Sequence, residues 1–293
     1  MSQIQGPILV TGATGHQGGA VARHLVARGH PVTAMTRKPD GDAARALQGL
    51  GVEVVRGDFD DEPSLESALR GVWGVFSVQN TWEVGVEREE QQGLRFAEIA
   101  RNAGVEHFVY TSVGSAHRKT GIPHFENKYR IEQRVRSLGF PSHVILRPVF
   151  FMENWLGGWF KPALDQGMVA MAIAPSTPLQ MIAVDDIGVL GALAFERATA
   201  LNGRGIDLAG DTRTMPETAE VLGRAMGRTI RFAPPPIEEI RKASADYALM
   251  LEWFDRVGYD ADIPGLEREF EVELQKLEGW AQRAVVPTAV GNA

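Results

Sequence analysis

Three glycines spaced G-x-x-G-x-x-G follow an apolar run near the start of the chain, in Ile8-Leu9-Val10-Thr11-Gly12-Ala13-Thr14-Gly15-His16-Gln17-Gly18. Few folds accommodate that spacing. A strand that ends in such a turn and restarts at once as a helix offers the free N–H groups of a helix N-terminus to an anion. Gly12 permits the tight turn, Gly15 lets the backbone approach a pyrophosphate, and Gly18 lets the helix pack closely on the strand. The pattern predicts a dinucleotide site with Thr14, His16 and Gln17 on its rim.

The chain continues in the same idiom to about residue 150. Strands are expected at Ile8–Val10, Pro31–Thr36, Val52–Val55, Gly74–Val78, His107–Thr111 and Ser142–Leu146, with helix-period segments between them. Gly29, Gly51, Gly71, Gly104 and Gly139 each fall where a left-handed helix stop is needed. This is the pattern of an α/β fold, a Rossmann-type doubly wound parallel sheet. After Pro148 the rhythm changes. Strands are expected at Met168–Ala174 and Leu179–Val184, a helix from Asp185 to Arg197 and a strand at Gly205–Leu208, so that 180–210 returns to the main sheet. Residues 151–179 and 211–285 are assigned to a smaller C-terminal α+β lobe. It holds a helix at Glu217–Met226, a strand at Thr229–Ala233, and two longer helices around Ile237–Arg256 and Gly265–Arg283. Residues 286–293 are expected to form a flexible tail.

Composition removes several chemistries. Thirty basic residues against 37 acidic ones give a net charge of −7, which provides no general drive toward nucleic acid or an anionic membrane. The chain has no cysteine, so disulfides and thiolate sites are excluded. The seven histidines are scattered without ligand spacing, so no metal is expected. No apolar run approaches the roughly twenty residues that cross a bilayer, and no signal-like leader precedes the first strand. These features point to a cytoplasmic protein.

The end of the second strand decides which dinucleotide. A carboxylate there would hold the ribose 2′-hydroxyl of NAD; this chain has Arg37-Lys38 instead, which suits the 2′-phosphate of NADP(H). Arg37 supplies a bidentate pair and Lys38 a nearby charge. At the third strand end, Gly57-Asp58-Phe59-Asp60-Asp61 puts Asp58 within reach of the adenine amino group and Phe59 beside the ring, while Asp61, before Pro63, is placed to cap a helix. Val78, Gln79 and Asn80 end the fourth strand, where the cofactor crevice lies in this topology.

TGATGHQGGAVA, TRKP, GDFDD, QNTWE followed by EREEQQG, VYTSV, HFENK, LRPVFFMENW and VDDIG together resemble the NmrA-like family, an atypical branch of the short-chain dehydrogenases/reductases. Within it the chain looks most similar to the NADPH-sensing subgroup. The resemblance implies a Rossmann protein with a small lobe, in a family of both redox sensors and NADPH-dependent reductases. Active short-chain dehydrogenases carry a tyrosine four residues before a helical lysine; here His124 stands before Lys128 at that spacing. The resemblance assigns Lys128 to the nicotinamide ribose, Ser112 to the family's active-site serine, Thr111 to the cofactor wall, and Pro148, Phe150 and Phe151 to the segment over the nicotinamide. His124 is open to two readings, a proton relay or a polar residue of a mobile loop. Trp155 and Trp159 are spaced to share a helical face, and Asp185-Asp186 to cap a helix.

Two functions fit this sequence. One is a sensor of NADPH/NADP⁺ that acts through a regulatory protein partner or a change of oligomer, a homodimer being compatible with the chain. The other is a reductase of quinones or similar apolar small-molecule acceptors. Direct nucleic-acid binding has little support, since Arg228-Arg231 and Arg241-Lys242 are modest basic pairs.

Overall fold

The computed structural model describes residues 4–285, and the expected flexible tail, 286–293, lies outside the described residues. The chain divides into two compact units: one runs to Pro148 and resumes over Val184–Asp207, the other comprises Val149–Ala183 and the chain from Leu208 onward.

The first unit is built from β1 (Ile8–Val10), α1 (His16–Ala27), β2 (Val32–Thr36), α2 (Asp42–Gly49), β3 (Glu53–Arg56), α3 (Glu62–Ala68), β4 (Gly74–Ser77), α4 (Thr81–Val84), α5 (Val86–Asn102), β5 (His107–Thr111), α6 (Pro123–Ser137) and β6 (Ser142–Pro148). Six strands pair in parallel, and with the later β10 (Gly205–Leu208) the sheet order is β10-β6-β5-β4-β1-β2-β3. Strand order reverses between β1 and β4, so the crevice that binds ligands in doubly wound folds opens at the C-terminal ends of those two strands. The five glycines expected to end helices all have positive φ.

β-branched and aromatic residues bury both faces of this sheet, as parallel strands require. Leu9, Val75, Phe96, Phe108, Tyr110, Ile131 and Ile145 form part of a continuous core, in which Phe108 stacks on Phe140 at 4.8 Å. Burying each such side chain contributes about 1.5–3 kcal/mol. The returning helix α8 (Val184–Glu196) packs tightly on α1: a Cβ at Gly188 would meet Ala20, and one at Gly191 would meet Val21 Cγ2 at 2.6 Å. α8 begins at Val184, so Asp185 and Asp186 lie in its first turn rather than at its cap, and Asp185 reaches His24 at 2.8 Å. A carboxylate there still complements the helix dipole.

His107, fully buried on β5, has Nδ1 2.9 Å from Ser142 Oγ and Nε2 3.1 Å from the Ala194 carbonyl oxygen. Burial pushes its pKa down to about 4. Because the folded value lies below the unfolded one, its contribution is complete above about pH 6.5 and is lost as pH falls toward 4. Acid titration of stability should therefore show a loss of roughly 3 kcal/mol over that interval, absent from His107→Gln. Equal slopes for the two proteins would reject this assignment.

The second unit contains β7 (Phe150–Phe151), α7 (Lys161–Asp165), β8 (Met168–Val169), β9 (Leu179–Ile182), β11 (Asp211–Arg213), α10 (Met215–Met226), β12 (Arg231–Phe232), α11 (Ile237–Ala243), α12 (Ala245–Arg256), α13 (Ile263–Phe270) and α14 (Leu277–Val285); α9 (Ala198–Leu201) belongs to the first. Its strands form a three-stranded sheet, β11-β9-β7, and the pair β12-β8. Three expectations are corrected here. The strand expected over Met168–Ala174 stops at Val169, where the chain bends away, and further on the Asp255 carboxylate takes the Ala174 N–H at 2.9 Å. Ile237–Arg256 is two helices, since Ser244 is extended (φ −157°) and its hydroxyl accepts the Tyr247 N–H to start α12. Gly265–Arg283 is also two, broken where Glu271 turns left-handed at φ 56°.

Candidate functional site

The glycine turn is closed to side chains and could hold a pyrophosphate. Gly12 has φ 58°, a conformation that disfavours side chains, and a Cβ there would meet Val78 Cγ1 at 2.6 Å. A Cβ at Gly18 would fall 2.5 Å from the Gly12 carbonyl oxygen and closer still to that of Thr11, so the contact between α1 and the end of β1 needs glycine. α1 has no acidic residue in its first turn, and its cap, Gly15, offers no side chain, which leaves the N-terminus suited to an anion. Thr14, Gly15 and His16 are exposed on this rim, and Gln17 is half-buried, with its Oε1 accepting the Thr111 hydroxyl at 2.7 Å. Thr11 ties the two strands of the crevice together: its hydroxyl lies 3.2 Å from the Phe76 and Val78 carbonyl oxygens and accepts the Val78 N–H at 2.8 Å.

Around this turn the expected residues take up varied surroundings. Arg37 and Lys38 are exposed at the end of β2, and Arg37 is ion-paired with Glu83 of α4. Asp58 accepts the Asp60 N–H at 3.0 Å and so shapes its own loop. Phe59 packs edge-on against Phe96 at 5.3 Å, which anchors one side of its ring in the core. Asp61 is the residue before α3, but its side chain makes no capping bond; Ser64 instead donates to the Asp61 carbonyl at 2.7 Å. Val78, Gln79 and Asn80 follow β4, and Asn80 caps α4 by accepting the Trp82 N–H at 3.1 Å. The Gln79 Oε1 and Ser112 Oγ atoms are buried and have no hydrogen-bond partner among the described residues. Each lies just beyond the C-terminal end of its strand.

Two of the catalytic candidates, His124 and Lys128, sit on α6, whereas Ser112 follows β5, and the structure corrects the loop reading of His124. It lies in the first turn of α6, buried, with its ring 5.2 Å from Trp82 and 4.8 Å from Phe125. Lys128, one turn further on, is ion-paired with Glu89, a residue of α5 with no exposure at all. The Glu89 carboxylate also accepts the Thr81 hydroxyl and the Asn127 side-chain amide. Burial would raise its pKa, but the Lys128 charge and these hydrogen bonds outweigh that and hold it below the ordinary value. Tyr110, the tyrosine of β5, is fully buried, and burial together with Glu89, Glu132 and Glu90 pushes its phenol well above the usual range. It is no substitute proton donor.

Pro148 ends β6 and its carbonyl accepts the Gly114 N–H at 2.9 Å. Phe150 and Phe151 belong to the second unit, where Phe150 packs on Trp155 at 5.2 Å and on Phe160 at 5.6 Å. Trp155 and Trp159 do not share a helical face, because the chain from Met152 to Leu156 is a 3₁₀ turn that ends before Trp159. Trp155 is buried and donates to the Met181 sulfur, whereas Trp159 is exposed and lies 5.5 Å from Tyr247.

Among the described residues, no group of three or more histidines or acids is arranged to hold a metal ion, and no helix is long and apolar enough to cross a membrane.

The NmrA-like family profile matches residues 5–283. The chain belongs to the NmrA-like family. A relative in Streptomyces griseus, a (4-alkanoyl-5-oxo-2,5-dihydrofuran-3-yl)methyl phosphate reductase, is 32% identical over 96% of this chain and 90% of its own. Two solved structures share the NmrA-like fold. An Escherichia coli NADPH-dependent quinone oxidoreductase in complex with NADPH has a TM-score of 0.81 at 23% identity, over 95% of this chain and all (100%) of that one. The negative transcriptional regulator NmrA in complex with NAD has a TM-score of 0.77 at 20% identity, over 96% of both chains.

Glu89 and the α4 residues Thr81, Trp82 and Glu83 fall within the QNTWE and EREEQQG motifs, but the sequence reading gave them no individual role. Helix register could have found Glu89: it lies one heptad before the buried Phe96 and four residues before the buried Gly93, on the inward face of α5.

Proposed function

We propose that this protein binds NADP(H) at the glycine turn and signals which form is bound to a partner or a second copy, rather than serving mainly as a catalyst. The reading is supported by a glycine turn suited to a dinucleotide together with an α6 in which His124, not a phenol, stands one turn before Lys128, while Lys128 is neutralised by buried Glu89. In this reading Gly12, Gly15 and Gly18 admit the pyrophosphate, Arg37 and Lys38 bind the 2′-phosphate, and Asp58, Phe59, Val78, Gln79, Asn80 and Thr111 flank the dinucleotide. The bound cofactor would supply hydride chemistry; the chain supplies position and charge.

Arg37→Ala tests the cofactor assignment. NADPH binding should weaken by roughly 1.5–3 kcal/mol, the range for a charged hydrogen bond, with NADH nearly unchanged in calorimetric titration. Equal losses would reject NADP(H). Sensing further requires that NADPH and NADP⁺ differ in affinity or in their effect on assembly, because a ligand with no differential affinity moves no equilibrium.

A second reading, a reductase of apolar acceptors, draws on the reductase named among the relatives and on the unpartnered Ser112 hydroxyl. NADPH consumption with a panel of quinones and aldehydes separates the two: sustained turnover favours the enzyme, and none favours the sensor.

A further inference from the structure

Three consecutive residues of the one-turn helix α4 point to three parts of the candidate site. Glu83 pairs with Arg37 at the end of β2. The Trp82 ring lies 5.2 Å from His124 with 55° between the planes. The Thr81 hydroxyl donates to Glu89, the ion partner of Lys128. The turn is fixed on one side by the Asn80 cap and released on the other by Gly85, whose φ of 86° no ordinary residue adopts readily. A single helical turn has little stability of its own, so its position depends on contacts such as these.

From this arrangement we propose that Glu83 is the chain's own stand-in for the 2′-phosphate of NADP(H), competing for Arg37 and so setting the preference of the site between phosphorylated and unphosphorylated dinucleotide. The proposal rests on the reading that the chain binds NADP(H). Side-chain exposures of 58% for Arg37 and 47% for Glu83 make this a solvent-screened pair, easily exchanged. A phosphate dianion offers the guanidinium more charge and more acceptors than a carboxylate does. Glu83 left beside that phosphate would face like charge, so one acceptor displaces the other. NAD(H), with no 2′-phosphate, leaves the Arg37–Glu83 pair in place. Release of Glu83 frees the turn that carries Trp82, and the exchange is felt at His124, on the same helix as Lys128. That gives the site a means of distinguishing the two dinucleotides at a point remote from the phosphate.

The experiment uses the full chain, with Glu83→Gln and Glu83→Lys compared with the parent. Calorimetry should show NADPH bound about two- to fivefold more tightly by Glu83→Gln, the range for removing a screened ion pair, and more tightly again by Glu83→Lys, with NADH changed by less than about twofold. Adenosine 2′,5′-bisphosphate, which carries the phosphate without the nicotinamide, should shift the emission of Trp82, isolated by difference from Trp82→Phe. ADP should not, and Glu83→Gln should show much of the shift before any ligand is added. Unchanged or weaker NADPH binding by Glu83→Gln, a gain shared equally by NADH, or Trp82 emission indifferent to the bisphosphate would overturn the role of Glu83 and leave the NADP(H) assignment standing. A parent protein that binds NADPH and NADH alike would overturn both.

Discussion

Glu89→Ala is expected to destabilise the protein by roughly 3–5 kcal/mol, the cost of breaking a buried ion pair by removing one partner. The Lys128 ammonium, only 12% exposed, would keep its charge with no carboxylate beside it, and the Thr81 hydroxyl and Asn127 amide would each lose an acceptor. Urea unfolding measures the loss. A double variant, Glu89→Leu with Lys128→Met, should recover much of it, because two apolar side chains of similar volume need no pairing in the gap between α5 and α6. A loss under about 1 kcal/mol in Glu89→Ala would mean that solvent reaches the pair, and that Lys128 is free to serve other partners.

Arg147→Ala should cost a similar amount, roughly 3–5 kcal/mol. Arg147, just before Pro148 at the end of β6, bonds Glu132 with both arms of its fork, at 2.9 and 2.6 Å, while its third nitrogen lies 3.6 Å from Asp207. Glu132 has no exposure, and burial already pushes the Asp207 carboxyl up against the opposing pull of Arg147 and His117. Without the guanidinium, two buried carboxylates would face each other. Burial would then push the Asp207 carboxyl up without the opposing pull of Arg147, so the variant is least stable at neutral pH and regains relative stability as pH falls below about 5. A pH series of unfolding experiments on both proteins should show the gap narrowing in acid. A gap that stays constant would exclude this origin.

Much of the first unit could be read in the sequence because local rules and tertiary packing agree there. The glycine turn, the five positive-φ stops and the β-branched strands each specify a conformation that the sheet then uses. The second unit was harder to read. Its strands are two to four residues long, and distant side chains bond the backbone between them, as when Asp255 takes the Ala174 amide. Periodicity cannot carry such information. It ran straight through Ser244, where one hydroxyl closes a helix start and makes two helices of an apparent one.

The candidate site shows the same division. Residues fixed by backbone geometry, such as Gly12 and Gly18, could be assigned from spacing alone. Charges could not, because their partners are far away in the chain: Arg37 meets Glu83 and Lys128 meets Glu89. A lysine in an active-site motif looks like a free ammonium until the facing helix is known. Phe59 is a similar case, since the sequence placed it beside the nucleotide while the structure packs its ring on Phe96.

The return of the chain to the first unit after Ala183 has a consequence for how the protein is made. α1 is synthesised well before α8, yet the surface of Ala20 and Val21 is covered by Gly188 and Gly191 of α8, more than 160 residues later. β6 likewise waits for β10 as its neighbour at that edge of the sheet. During translation the first unit therefore stays open on one flank while all of the segment from Val149 to Ala183 emerges. Domains of this kind are most exposed to aggregation and chaperone capture in that interval, and a nascent chain stalled near Pro148 would present bare α1 and an unpaired strand edge.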